Sequence, residues 1–157
     1  MAIQGARPHD RRITPHLFVR DAAAAIEFYR RAFGARELYR SPMPGGAGLH
    51  AQLRIADSTV MVSDESPDHP ELGLASPETR GGASVALELY VPDVDTAYRR
   101  AVDAGATATC PPFDAFFGDR YGQLRDPWGH VWALAQRQET LTPEQVAERM
   151  QGMLTGA

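Results

Sequence analysis

The chain repeats itself, and that repetition narrows its possible folds more than any other feature. The stretch LFVRDAAAAIEFYRRAFGA, Leu17 to Ala35, has an echo in LYVPDVDTAYRRAVDAGA, Leu89 to Ala106. Each copy reads as a short apolar strand, an Asp, and an amphipathic segment that ends in Gly-Ala. Asp21 and Asp93 are suited to cap a helix, because a carboxylate oxygen accepts from the N–H groups that a first turn leaves unpaired. Ala22, Ile26, Tyr29 and Phe33 recur at helical spacing, as do Val94, Ala97, Tyr98 and Ala101. Gly34 and Gly105 fit the stops of the two helices.

The later halves match as well. AQLRIADSTVMVSDE (Ala51 to Glu65) resembles GQLRDPWGHVWALAQ (Gly122 to Gln136), and both read strand, turn, strand. Arg36 to Arg40 and Ala106 to Cys110 each add a strand between helix and hairpin. The expected organisation is a β-α-β-β-β module over 12–65, a linker rich in Pro, Gly, Ser and Glu over 66–82, and a second such module over 83–138. The tail over 141–153 carries its own helix signal. Thr142 fits the N-cap, Pro143 the first helical position, and Gln145 completes a capping box. Leu141, Val146 and Met150 form an apolar face that must dock on its own domain or on a partner subunit. The fold class is therefore α+β: two tandem β-α-β-β-β modules plus a C-terminal helix.

Composition excludes several classes of function. Of 157 residues, 43% are hydrophobic and 23% charged, an ordinary balance for a globular chain. The net charge is −4, and the basic pairs Arg11-Arg12, Arg30-Arg31 and Arg99-Arg100 are short, so no nucleic-acid footprint is expected. The single cysteine, Cys110, allows no internal disulfide and fits a reducing compartment. The opening MAIQGARPHDRR has no apolar core of a signal peptide, and no apolar run is long enough for a membrane span. A cytoplasmic protein is expected.

The paired modules, FYRRAFGA after the first strand and DPWGHVW before the last together resemble the vicinal oxygen chelate superfamily of glyoxalases, bleomycin-resistance proteins and extradiol dioxygenases. ITPHLFVRDAAAAIEFYRRAFGA, LHAQLRIADSTVMVSDE, FFGDRYGQLRDPWGHVWALA and the LTPEQVAERM tail resemble its glyoxalase-like subgroup once misnamed demethylubiquinone methyltransferase. The resemblance spans roughly residues 12 to 150 and implies a curved mixed sheet around a ligand-holding cavity. It also implies a homodimer, since bleomycin-binding relatives are dimers.

Metal-binding members take His or Glu ligands from the first and last strands of each module. Carried over, those positions fall on Thr14, Ala86 and Ala133, with the first module's last-strand position near Val62. None is a good ligand, so the inherited metal site reads as dismantled. Two residues along from Thr14 and Ala86, on the same strand faces, stand His16 and Glu88. With Gln52 and His50 on a neighbouring strand they make a set chemically able to hold Zn, Ni, Fe or Mn, with Glu88 as ligand or base. As a polar pocket without metal, the same residues would bind an organic ligand directly. Val131, Ala133 and Ala135 should share the cavity face. His130 should sit opposite with Trp132 and Leu134 and bond locally. Trp128, in the turn, is expected to be half exposed.

PPFDAFFGDRYGQ (Pro111 to Gln123) reads in two ways. As a flap, Phe116, Phe117 and Tyr121 would close over a flat ligand while Asp119 and Arg120 fix its polar edge. As a rigid corner, Asp119 and Arg120 would be a structural ion pair. Phe18 and Tyr90 occupy equivalent strand positions and either sandwich a ring or pack in the core. The expected function is metal-free binding of a small, partly aromatic molecule, such as an antibiotic that a resistance protein sequesters. The alternative is a divalent-metal lyase or isomerase working through an enediolate-like intermediate, with Glu88 catalytic.

Overall fold

The computed structural model describes residues 13–46 and 48–156. The N-terminal dodecapeptide, with Arg11-Arg12 and the first residue of the expected module 12–65, lies outside the described residues, as does Ala47 in the Gly45–Gly48 loop. The chain divides into two compact units. One runs to Ser84 and includes Trp128–His130; the other holds Val85–Pro127 and the chain from Val131.

The first unit carries β1 (His16–Val19), α1 (Ala22–Phe33), β2 (Arg36–Pro42), β3 (Leu49–Ile55), β4 (Ser58–Asp64) and the single-turn helix α2 (Pro77–Arg80). The second carries β5 (Ala86–Tyr90), α3 (Val94–Asp103), β6 (Thr107–Asp114), β7 (Asp119–Arg125), β8 (Val131–Arg137) and α4 (Pro143–Thr155). Each unit builds one four-stranded mixed sheet, ordered β1-β4-β3-β2 and β5-β8-β7-β6. The parallel pairs are β1 with β4 and β5 with β8; the remaining pairs are antiparallel. The two modules thus repeat strand for strand, as the sequence echo requires.

The helices begin where the aspartates stand. Asp21 accepts from Ala24 N at 2.9 Å, and Asp93 from Thr96 N at 3.0 Å. Gly34 closes α1 in the left-handed region, at φ 66°, with its N–H on the last carbonyls. α3 stops one residue before the expected glycine: Ala104 is its cap, and Gly105 follows at φ 120°. Ala22, Ala25, Ile26, Phe28, Tyr29 and Ala32 of α1 are buried, with Leu17, Val19, Ala51, Leu53, Ile55, Val60 and Val62 of the sheet. Each Val, Leu, Ile or Phe side chain among them contributes on the order of 1.5–3 kcal/mol through apolar burial. In the second unit Gly122 faces α3, because a Cβ there would stand 3.0 Å from the Tyr98 ring. Its register partner Leu134, and Trp132 on the same face of β8, are buried on that side.

Three expectations are corrected. Pro111 to Gln123 is no free flap: β6 runs on to Asp114, Ala115–Gly118 is a tight turn, and β7 starts at Asp119. β6 is the sheet edge, where Pro111 and Pro112 cost no ladder donor that a neighbour needs, and the register slips there. The Gly118 carbonyl accepts from both Gln138 N and Glu139 N, which pins the turn. Asp119 and Arg120 take other partners: Arg120 donates to both Asp95 oxygens (2.6 and 2.8 Å) and to Asp114 (2.9 Å), while Asp119 takes Arg137. Trp128 is not half exposed but 7% exposed, with Phe28 and Tyr29 against its ring.

α4 forms with the expected capping box between Thr142 and Gln145. Its apolar face stays open within the chain: Leu141 and Val146 are half-buried, while Met150, Met153 and Leu154 are exposed. Among the described residues no helix is long and apolar enough to cross a membrane.

Candidate functional site

Strand alternation sorts the first sheet into two faces. Leu17, Val19, Ala51, Leu53, Val60 and Val62 belong to the buried α1 side. His16, Phe18, His50, Gln52, Met61 and Ser63 therefore share the other, open side. The register brings them together, since His16 pairs with Met61, Phe18 with Ser63, His50 with Ser63, and Gln52 with Met61. The centre of this face is the Ser63 hydroxyl. It lies 2.9 Å from His16 Nε2 and 2.8 Å from His50 Nδ1. The two imidazoles meet edge to face at 5.4 Å, and the Phe18 ring is 4.3 Å from His16. Desolvation, and after it the neighbouring His50, hold the His16 pKa below its usual value, although the ring's outer side is open to solvent within the chain. His16 is thereby biased toward the neutral imidazole.

The adjacent Asp64 is spoken for. Its carboxylate accepts from Ala22 N and Leu49 N, each at 2.7 Å, and ties α1 to the start of β3. Gly48 is required by this contact, because a Cβ there would fall 2.7 Å from the Asp64 Cβ at φ 131°.

The second sheet shows the matching face. Because Gly122, Leu134 and Trp132 look toward α3, the side chains of Tyr121, Gln123, Val131, Ala133 and Ala135 lie on the other side. Glu88 pairs in register with Ala133, and Tyr90 with Ala135. The Tyr90 hydroxyl donates to Asp119 Oδ2 at 2.7 Å and accepts from Arg137 Nη2 at 3.1 Å; Arg137 Nε also binds Asp119. Asp119 is buried, and its hydrogen bond raises the Tyr90 phenol's pKa. Burial, and next the Glu88 carboxylate, raise that of Tyr121. Glu88 itself is exposed, with no hydrogen bond or ion pair among the described residues. Phe117 and Tyr121 meet edge to face at 6.0 Å, Phe116 and Phe117 at 5.3 Å. Arg120 points instead to the α3 side, where its guanidinium is held by Asp95 and Asp114.

The inherited metal positions fit poorly. His16 pairs with Met61, and its repeat counterpart Glu88 pairs with Ala133, so the first-module equivalent of Ala133 is Met61. The expected Val62 is one residue off and buried on the α1 side. Thr14, Met61, Ala86 and Ala133 offer a hydroxyl, a thioether and two methyl groups, not the imidazoles and carboxylates a divalent ion requires. Among the described residues no group of three His, Cys, Asp or Glu side chains could hold a metal ion. His130 turns out to have a distant partner: its Nε2 lies 2.9 Å from the Phe18 carbonyl and donates to it, behind the open face. The sequence reading missed Ser63 as the centre of this cluster. Strand period from Met61 carried the signal, hidden by the one-residue slip to Val62.

Two tandem β-α-β-β-β modules, each a four-stranded mixed sheet with a helix packed on one face, define a vicinal oxygen chelate fold. The chain belongs to the Glyoxalase/Bleomycin resistance protein/Dioxygenase superfamily, whose family model matches residues 12–134. It is 44% identical over 142 residues to the uncharacterized protein Rv0887c of Mycobacterium tuberculosis, covering 89% of this chain and 84% of that one. The uncharacterized protein At5g48480 of Arabidopsis thaliana is 31% identical over 128 residues, covering 76% and 74%. Among solved structures, TioX from Micromonospora sp. ML1 superposes with a TM-score of 0.60 at 28% identity, over 82% of this chain and 99% of that one.

Proposed function

We propose that the chain binds a small, partly aromatic organic molecule on the open face of its first sheet, without a resident metal ion. The observation that carries this reading is the His16–Ser63–His50 cluster beside Phe18, standing where the inherited ligand positions have become Thr14 and Met61. An exposed polar edge next to an aromatic wall suits an organic ligand, and Gln52 adds an amide that can donate and accept. The corresponding face of the second sheet, with Glu88, Tyr90, Tyr121 and Ala133, supports the same reading by repeat. Sequestration of an antibiotic is one concrete form of this function. The competing lyase or isomerase reading, with Glu88 as base, requires a divalent ion.

A thermal-shift screen of aromatic antibiotics and metabolites tests the binding reading. A ligand at about 100 times its Kd adds about 2.7 kcal/mol, several degrees in Tm for a chain of this size. The shift should be lost or sharply reduced in His16→Ala and in Phe18→Ala. A full shift in both variants would place binding elsewhere.

The reading includes a homodimer, supported by the exposed Met150, Met153 and Leu154 of α4. Sedimentation of the full chain at micromolar concentration should give a dimer, and truncation from Leu141 should weaken it. A monomer in both cases would contradict this part.

A further inference from the structure

The Ser63 hydroxyl has one proton and two imidazole neighbours, at 2.9 Å from His16 Nε2 and 2.8 Å from His50 Nδ1. No other acceptor for the Ser63 hydroxyl stands among the described residues, so its proton goes to one imidazole, O–H···N, and the other contact is N–H···O. A neutral imidazole carries a single N–H. The ring that accepts from Ser63 therefore bears its proton on its other nitrogen. The ring that donates to Ser63 leaves its other nitrogen bare. Those other nitrogens are His16 Nδ1 and His50 Nε2. While both rings are neutral they hold one proton between them, whichever way the chain of hydrogen bonds runs.

Neither outer nitrogen has a hydrogen-bond partner among the described residues. No buried side-chain nitrogen or oxygen among them is left unsatisfied, so the His50 Nε2 of this half-buried residue reaches solvent. His16 is exposed. Desolvation of His16 favours its neutral form. Ser63 is only 2% exposed, so water is largely kept from substituting for it in either contact. Phe18 stands against the His16 ring at 4.3 Å and can line the flat side of a ligand.

We propose that this cluster is a recognition site for a planar heteroaromatic molecule whose edge offers one donor beside one acceptor, as a lactam does. The inference rests on the reading that this face binds an organic ligand, and it names that ligand's class. A lactam N–H meets the bare nitrogen while its carbonyl accepts from the other ring. Turning the Ser63 hydroxyl and switching both rings to their other tautomer reverses the edge, so the site accepts the ligand in either orientation. An edge with two acceptors is discriminated against. It needs both outer nitrogens protonated, which leaves two bare nitrogens facing the one Ser63 proton, with one lone pair unmatched.

The test compares two probes of like size and shape, 2-quinolinone with a lactam edge and 1,8-naphthyridine with two ring-nitrogen acceptors. Calorimetry is run at pH about 8, above the ordinary imidazole range. The full chain should bind 2-quinolinone at least about tenfold more tightly. In Ser63→Ala the two rings choose tautomers independently, and the preference should shrink at least about fivefold. No preference in the parent, an unchanged preference in Ser63→Ala, or no binding of either probe overturns the proposal. Ligand shifts in the wider screen would then leave the binding reading standing; their absence would remove both. Should Ser63→Ala fold poorly, 15N NMR of the parent's imidazoles decides. The same tautomer at His16 and His50 is expected, Nε2–H at both or Nδ1–H at both, because Nε2 faces Ser63 in one ring and Nδ1 in the other; opposite tautomers, which turn two donors or two acceptors toward Ser63, overturn it.

Discussion

Replacing Trp128 by alanine should lower the stability of the protein by about 3–5 kcal/mol, a loss typical of a large buried aromatic. Trp128 is in the β7–β8 turn, yet it counts with the first unit. Trp128 is 7% exposed, and its ring meets Phe28 at 5.9 Å and Tyr29 at 6.2 Å. The Trp128 carbonyl accepts from Glu78 N at 3.1 Å, and the neighbouring His130 donates to the Phe18 carbonyl. Truncation thus opens a cavity at the back of α1 while leaving the surrounding backbone bonds in place. Urea unfolding with a parental m-value and a lower midpoint is the expected result. A variant within about 0.5 kcal/mol of the parent, the range of an ordinary surface substitution, would mean that the turn is not seated in the first unit's core.

Ala133→Glu should cost several kcal/mol at pH about 8. Ala133 is 1% exposed and lies in register between Glu88 and Gln123. The new carboxyl would be desolvated and set beside the Glu88 carboxylate, and both effects raise its folded-state pKa above the unfolded value. The folded state then holds a proton that the unfolded state has released. The deficit relative to the parent should therefore be small near pH about 4 and should grow as pH rises through the raised folded pKa. Parental stability across that range would show that residue 133 does not lie on the packed inner row of β8.

The architecture was legible because both copies of the module carry the same punctuation. Asp21 and Asp93 cap, and the apolar positions of α1 and α3 keep helical period. Period two placed Trp132 and Leu134 opposite Ala133 and Ala135, as the register bears out. Of the two readings of Pro111–Gln123, the flap failed. The aromatic, proline-rich Pro111–Gln123 segment looked like a loop, but an edge strand tolerates prolines, and backbone bonds to the Gly118 carbonyl pin its turn. Trp128 was misjudged for a related reason: a turn residue is exposed only if nothing distant covers it, and Phe28 lies about 100 positions away in the chain, a separation that local pattern does not register. Within the site, His16, Phe18 and Gln52 followed from strand period. Ser63 did not, because it became visible only when the β1–β4 register put it opposite Phe18 and moved the inherited ligand position from Val62 to Met61.

The proposed function has the open face take an organic ligand directly, with no resident metal. Elemental analysis of the full chain, purified without an affinity tag and in buffers free of chelator, tests it most directly. The expected result is well below about 0.2 equivalents of Zn, Ni, Fe or Mn per chain, unchanged by His16→Ala or Glu88→Ala. About one equivalent of a single metal, lost in both variants, would contradict it and return the protein to the metal-dependent branch of its superfamily.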